Sequence, residues 1–184
     1  MKILKKILLG IAAVVALLLI VALFVKKDYK VGREIIINKP KREVFNYVRY
    51  LRNQDNYSKW ARVDPEMKKT YRGIDGTPGF VSGWESDNDE VGAGEQEIMK
   101  ITEDERIDFE LRFFQPFEAT EPAFMAIQPI SESQSKVIWG FSGHMNYPMN
   151  LMLLFIDFEE MIGSDLQIGL EKLKDILETQ ALED

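Results

Sequence analysis

The stretch Glu34-Ile35-Ile36-Ile37-Asn38-Lys39-Pro40-Lys41-Arg42-Glu43-Val44-Phe45 contains a switch in hydrophobic period that sets the order of elements in the whole chain. Before Asn38, Val31, Arg33, Ile35 and Ile37 fall on one side of an extended chain, with Gly32, Glu34 and Ile36 on the other. That period of two predicts a strand over 29–38. Asn38-Lys39-Pro40 ends it. Val44, Val48 and Leu51 then recur at helical spacing. Proline suits the first turn of that helix, and Glu43 suits the positive end of its dipole. A second short helix or a turn is expected over 54–60.

Working outward, 67–145 reads as strands separated by turns. Gly73, Asp75-Gly76 and Pro78-Gly79 punctuate one connection, and Ser86-Asp87-Asn88-Asp89 another. Ile107, Phe109, Leu111 and Phe113 alternate with Asp108, Glu110 and Arg112, the pattern of a half-buried antiparallel strand. Val137, Trp139, Phe141, Gly143 and Met145 repeat it. From about 149 to 182 one long helix is expected, because Leu151, Phe155, Phe158, Ile162, Leu166, Leu170, Leu173 and Leu177 recur at steps of three and four. The order strand, helices, run of strands, long helix indicates an α+β domain with helices on one face of an antiparallel sheet.

Toward the N-terminus, 7–25 is free of charge and proline. As a helix it spans ~28 Å, close to the hydrocarbon thickness of a bilayer. Lys2, Lys5 and Lys6 would also suit a signal peptide, but the apolar run is long and no small-x-small cleavage site closes it. The expectation is a retained single-pass membrane anchor over 1–27, followed by one domain over 28–184. Lys and Arg are balanced on the two flanks, so the positive-inside rule assigns no side. All 30 acidic residues of the chain fall within 28–184, making that domain more acidic than the net −7 of the whole. Such a charge opposes nucleic-acid binding. The absence of cysteine removes thiol chemistry and disulfides.

The 34–45 stretch resembles the opening of the SRPBCC superfamily, the START-like or helix-grip proteins, and more narrowly their polyketide cyclase/dehydrase-like branch. Trp60 after the second helix, the Gly-rich first hairpin, the Trp139-Gly140-Phe141 strand and Gly169-Leu170-x-x-Leu173-Lys174 fit the same pattern, over about 30–180. The resemblance implies a curved antiparallel sheet wrapped around the long last helix, with a deep apolar cavity between them. In that family the cavity holds lipids, sterols, polyketides, quinones or other hydrophobic ligands.

Candidate chemistry is sparse. His144, the only histidine, falls opposite Trp139 and Phe141 by alternation and so on the outer face. One histidine without cysteine makes a zinc site an unfavourable reading. Asp87-Asn88-Asp89-Glu90-Val91-Gly92 lacks the later oxygen ligands of a calcium loop and reads as a hairpin turn. Glu95 and Glu97 share a strand face, as solvated acids or as paired carboxylates. Gly92-x-Gly94 has no helix N-terminus or base beside it to hold a phosphate. No catalytic residue and no cofactor is therefore assigned. Trp60, Trp84, Phe113, Trp139 and Phe141 are the candidate cavity lining, with plain core as the alternative. Met152 and Phe155 join them, because 149–162 is apolar almost all round. That segment would line the cavity mouth, dip into the bilayer interface or be covered by core. The expected function is membrane-tethered binding of a hydrophobic small molecule or lipid. A cyclase or dehydrase-like enzyme and a protein-interaction module are the alternatives.

Overall fold

In the computed structural model, residues 2–179 are described. An apolar helix, α1 (Lys2–Ala22), leads the chain and is exposed along its length up to Ala22. It is long and apolar enough to cross a membrane, or to serve as a signal helix, by length and composition. β1 (Asp28–Ile37) follows, then α2 (Lys41–Val48) and two short helices, α3 (Gln54–Tyr57) and α4 (Lys59–Val63). Six strands come next: β2 (Lys68–Arg72), β3 (Val81–Glu85), β4 (Ala93–Thr102), β5 (Arg106–Gln115), β6 (Ala119–Ser131) and β7 (Gln134–His144). A six-residue 3₁₀ segment, Met149–Leu154, and α5 (Phe158–Thr179) close the described chain.

The seven strands form one antiparallel sheet in the order β1-β7-β6-β5-β4-β3-β2. The expected α+β architecture is present: a curved, open sheet wraps the long C-terminal helix. Register shifts at Ala93/Gly94 and Ile98/Lys100 interrupt the β4–β5 ladder. Such irregularities bend a strand and raise its twist, which helps the sheet curl around a helix. Alternation sorts the faces. Val31, Ile37, Ile98, Ile107, Phe109, Met125, Ile127, Val137 and Trp139 point inward and are buried. They meet Leu166, Leu170, Leu173 and Leu177 of α5, and Val44, Phe45 and Val48 of α2.

α5 runs alongside β1. Near its start the Arg33 guanidinium donates to the Glu159 carbonyl at 3.2 Å, and near its end Lys174 Nζ donates to the Ile36 carbonyl at 2.9 Å. Gly169 sits where the helix lies close against β7: a Cβ there would meet the Trp139 ring at 2.8 Å.

The pairing places one set of strand ends together. Asp28 lies opposite His144, Phe113 opposite Ala119, Ala93 opposite Gln115, and Lys68 opposite Glu85. Glu85 in turn faces Ala93. The end of the sheet next to α1 therefore also carries the β3–β4, β5–β6 and β7–α5 connections.

The last helix is shorter than its apolar stripe suggests. It starts at Phe158, not near 149, and 180–182 lie outside the described residues. Asp157 caps it, accepting from the Glu160 N–H at 3.0 Å, with Glu159 and Glu160 in the first turn. Leu151 of the stripe thus belongs to the separate 3₁₀ segment, and Phe155 to the turn that follows it. A 3₁₀ turn rotates side chains by 120° per residue and not 100°, so the two stretches do not share one face.

Candidate functional site

Between the concave face of the sheet, α3, α4 and α5 lies a cavity of about 320 Å³. Its apolar wall contains Trp60 from α4, Trp84 from β3, Leu111 and Phe113 from β5, Trp139 and Phe141 from β7, and Ile162 and Leu166 from α5. The rings are mutually braced. Trp60 packs edge-on to Trp139 with centroids 6.5 Å apart, Trp84 to Phe113 at 6.1 Å, and Phe113 to Phe141 at 6.4 Å. These are favourable aromatic geometries that hold the wall open without close packing across it. Trp84 is further fixed by its indole N–H, which donates to the Val91 carbonyl at 3.3 Å.

Met152 and Phe155 do not line this cavity. Because the helix breaks before Phe158, Phe155 projects outward and is 77% exposed. The 3₁₀ segment packs instead on the end of α1: Asn150, fully buried, donates its amide to the Ala22 and Val25 carbonyls at 2.7 and 3.0 Å.

One side of the cavity is polar. Gln54, Asp55, Ser58, Lys69, Ser82 and Gln96 contribute to the lining. Asp55 is the organising group: Lys69 Nζ lies 2.7 Å from its Oδ1, and the Tyr71 hydroxyl donates to its Oδ2 at 2.9 Å. Burial and then that hydrogen bond push the Tyr71 hydroxyl up to about 12, so it stays a protonated donor at neutral pH. Each Asp55 oxygen already accepts one hydrogen bond; the remaining Lys69 protons are donors, and the Gln96 amide and Ser82 hydroxyl can donate or accept. Sequence reasoning missed this corner. Lys69, Tyr71 and Asp55 are brought together by the β2–α3 contact, and no local spacing announces it.

The polar residues considered from sequence stand elsewhere. Glu97, Glu110 and Arg112 lie on the outer face of the sheet, where Arg112 bridges Glu95 and Glu97 at 2.7 Å each and also pairs with Glu110. Burial opposes these charges, but hydrogen bonds to the three carboxylates raise the Arg112 pKa further, so the cluster is a fixed ion-pair network. His144 is exposed and sits 2.6 Å from Asp28 Oδ1. The 86–92 connection is a hydrogen-bonded hairpin turn: Asn88 Oδ1 accepts from the Glu90 N–H at 2.9 Å, and Ser86 Oγ accepts from the Asn88 N–H at 3.0 Å.

No protein-family model matches the sequence, and no curated protein matches it significantly. Solved structures do match. A protein from Mesorhizobium loti superposes with a TM-score of 0.59 at 13% identity, covering 82% of this chain and 98% of that one. The Aha1 dimer from Colwellia psychrerythraea gives 0.55 at 11% identity, over 81% and 96%. Ara h 8.0201 gives 0.55 at 12% identity, over 85% and 99%. At such identities the likeness is one of fold. The domain has a helix-grip fold.

Proposed function

We propose that this chain binds an amphipathic small molecule or lipid in the cavity of its domain, and that α1 tethers that domain to a membrane. The carrying observation is the cavity of about 320 Å³, walled by Trp60, Trp84, Phe113, Trp139 and Phe141 and bounded on one side by Lys69, Ser82 and Gln96. An apolar body fits the aromatic wall, and a polar group that accepts from Lys69 fits the polar side. Tethering raises the local concentration of a membrane-dissolved ligand.

The test is native mass spectrometry of the full chain released gently from membranes, followed by extraction of what travels with it. A stoichiometric amphiphile is expected, and it should be lost from Ala123→Phe, which fills the cavity from β6. An apo mass that stays unchanged after incubation with total membrane lipid would reject binding.

A cyclase or dehydrase-like enzyme is the second reading, favoured by the Asp55–Lys69 pair on the cavity wall, with Tyr71 hydrogen-bonded to Asp55 outside the lining. Under that reading Lys69→Met would leave the recovered molecule bound but chemically unconverted. Identical molecules from both proteins would favour binding alone.

A further inference from the structure

We propose that the end of the domain carrying the cavity mouth is itself a bilayer-docking face, so that the cavity opens onto lipid and not onto bulk water. This rests on the reading that α1 spans the membrane. The exposed members of the cavity lining are Asp89, Glu90, Gln115 and Pro116. Asp89 and Glu90 belong to the β3–β4 connection, Gln115 ends β5 and Pro116 opens the β5–β6 connection, all at the sheet end next to α1. The mouth and the anchor thus share one end of the molecule.

That end also carries exposed apolar side chains. Phe117 in the β5–β6 connection is 72% exposed, and Met149, Leu154, Phe155 and Ile156 are exposed in the β7–α5 connection. The second group is tied to the helix exit. The Ala22 carbonyl is among those that a helix C-terminus leaves without a partner, and Asn150 donates to it and to the Val25 carbonyl just beyond the helix. The Met145 N–H closes the same junction by donating to the Lys27 carbonyl at 2.8 Å. The 3₁₀ segment is therefore held at the depth of the last turn of α1. At that depth Lys26 and Lys27 can extend their ammonium groups to the headgroups, while Tyr147 and Phe155 suit the interface.

Charge identifies the driving force. Asp87, Asp89 and Glu90 lie on the neighbouring β3–β4 hairpin, so anionic lipid offers no net attraction across this end. Burial of the apolar side chains must hold it, and a zwitterionic bilayer is the fitting partner.

The chain has no cysteine, so single labels report one site each. Phe117→Cys, Phe155→Cys, Ile74→Cys and Val15→Cys would each carry an environment-sensitive fluorophore in the full chain, reconstituted into phosphatidylcholine vesicles containing nitroxide-labelled lipids. Ile74 is the control, since it is 75% exposed but lies in the β2–β3 connection at the opposite end of the sheet. Labels at 117 and 155 should shift to the blue and be quenched several-fold more than the label at 74. Shallow nitroxides should be the better quenchers at 117 and 155, and deep ones at 15. Water-exposed labels at 117 and 155 with a quenched label at 15 would overturn the docking face while leaving the anchor intact. An unquenched label at 15 would remove the anchor, and the docking face with it. Equal quenching at 74 would mean unoriented adsorption, which also overturns the proposal.

Discussion

At the scale of single residues, two carboxylates on the sheet carry opposite pH signatures. Burial pulls Glu95 up, but hydrogen bonds from Arg72 and Arg112 more than reverse it and leave its pKa below 4.5. Its contribution to stability is present above that ordinary value and is lost as pH falls through the lowered one. Glu121 behaves the other way. Burial raises its pKa above 4.5, Asp28 adds to that, and the His144 N–H donating at 2.8 Å only partly compensates. The folded state prefers Glu121 protonated, so the chain loses stability as pH rises from 4.5 through the raised value. Glu121→Gln keeps an acceptor for the His144 N–H and removes the ionisation. Its Tm should equal that of the parent in acid and exceed it by ~2 °C once Glu121 is ionised, a shift suited to a domain of this size. Thermal melts of both proteins across that pH range check this, and a constant difference at every pH would rule it out.

At the scale of elements, the contact between α5 and the sheet is decided by Gly169. Alanine there would gain ~1 kcal/mol in helix propensity. Its Cβ would stand 2.8 Å from the Trp139 ring and 3.4 Å from the Tyr57 carbonyl, inside a packed junction. Overpacking of that kind costs ~1–3 kcal/mol, so the clash should win by about 1 kcal/mol. Gly169→Ala should lower Tm and change tryptophan fluorescence, because Trp139 is also cavity wall. A higher Tm with an unchanged spectrum would show that the helix yields freely. The same helix shows how an element boundary is set. Its apolar stripe is continuous with that of 149–155, yet the Asp157 cap starts a new helix. The signal was legible, since an Asp followed by Glu159 and Glu160 is a helix start. The stripe outweighed it in the reading because hydrophobic period does not register a change from 3₁₀ to α geometry.

At the scale of the molecule, α1 is an appendage to the fold. The buried core runs through the sheet, α2 and α5 and contains no residue of α1. What α1 meets is the 3₁₀ segment, through Asn150. Removal of residues 2–27 should therefore leave a cooperatively folding domain, with Tm lowered by only ~2–4 °C for the lost junction. It should also shift the protein from the membrane to the soluble fraction. Circular dichroism melts and fractionation check both, and loss of the cooperative transition would show that α1 belongs to the fold.

Sequence by itself determined what depends on neighbouring residues: the apolar N-terminal helix, the strand–turn–helix at 34–45 and the alternation in β5 and β7. It also determined the order of elements that makes an α+β domain. These are legible because hydrogen-bonding geometry imposes periods of two and 3.6 along the chain itself. The inward positions of Phe113, Trp139 and Phe141 follow from the same alternation. Whether an inward ring packs against a neighbour or borders empty space depends on the curvature of the sheet and its distance from α5, which no local period encodes. The Asp55–Lys69–Tyr71 corner, the Arg112 cluster and the Asn150 junction join residues far apart in sequence, so only the tertiary structure brings their charges and hydrogen bonds within reach. The outward position of Phe155 was decided there as well, by where a capped helix could begin and still lie along β1.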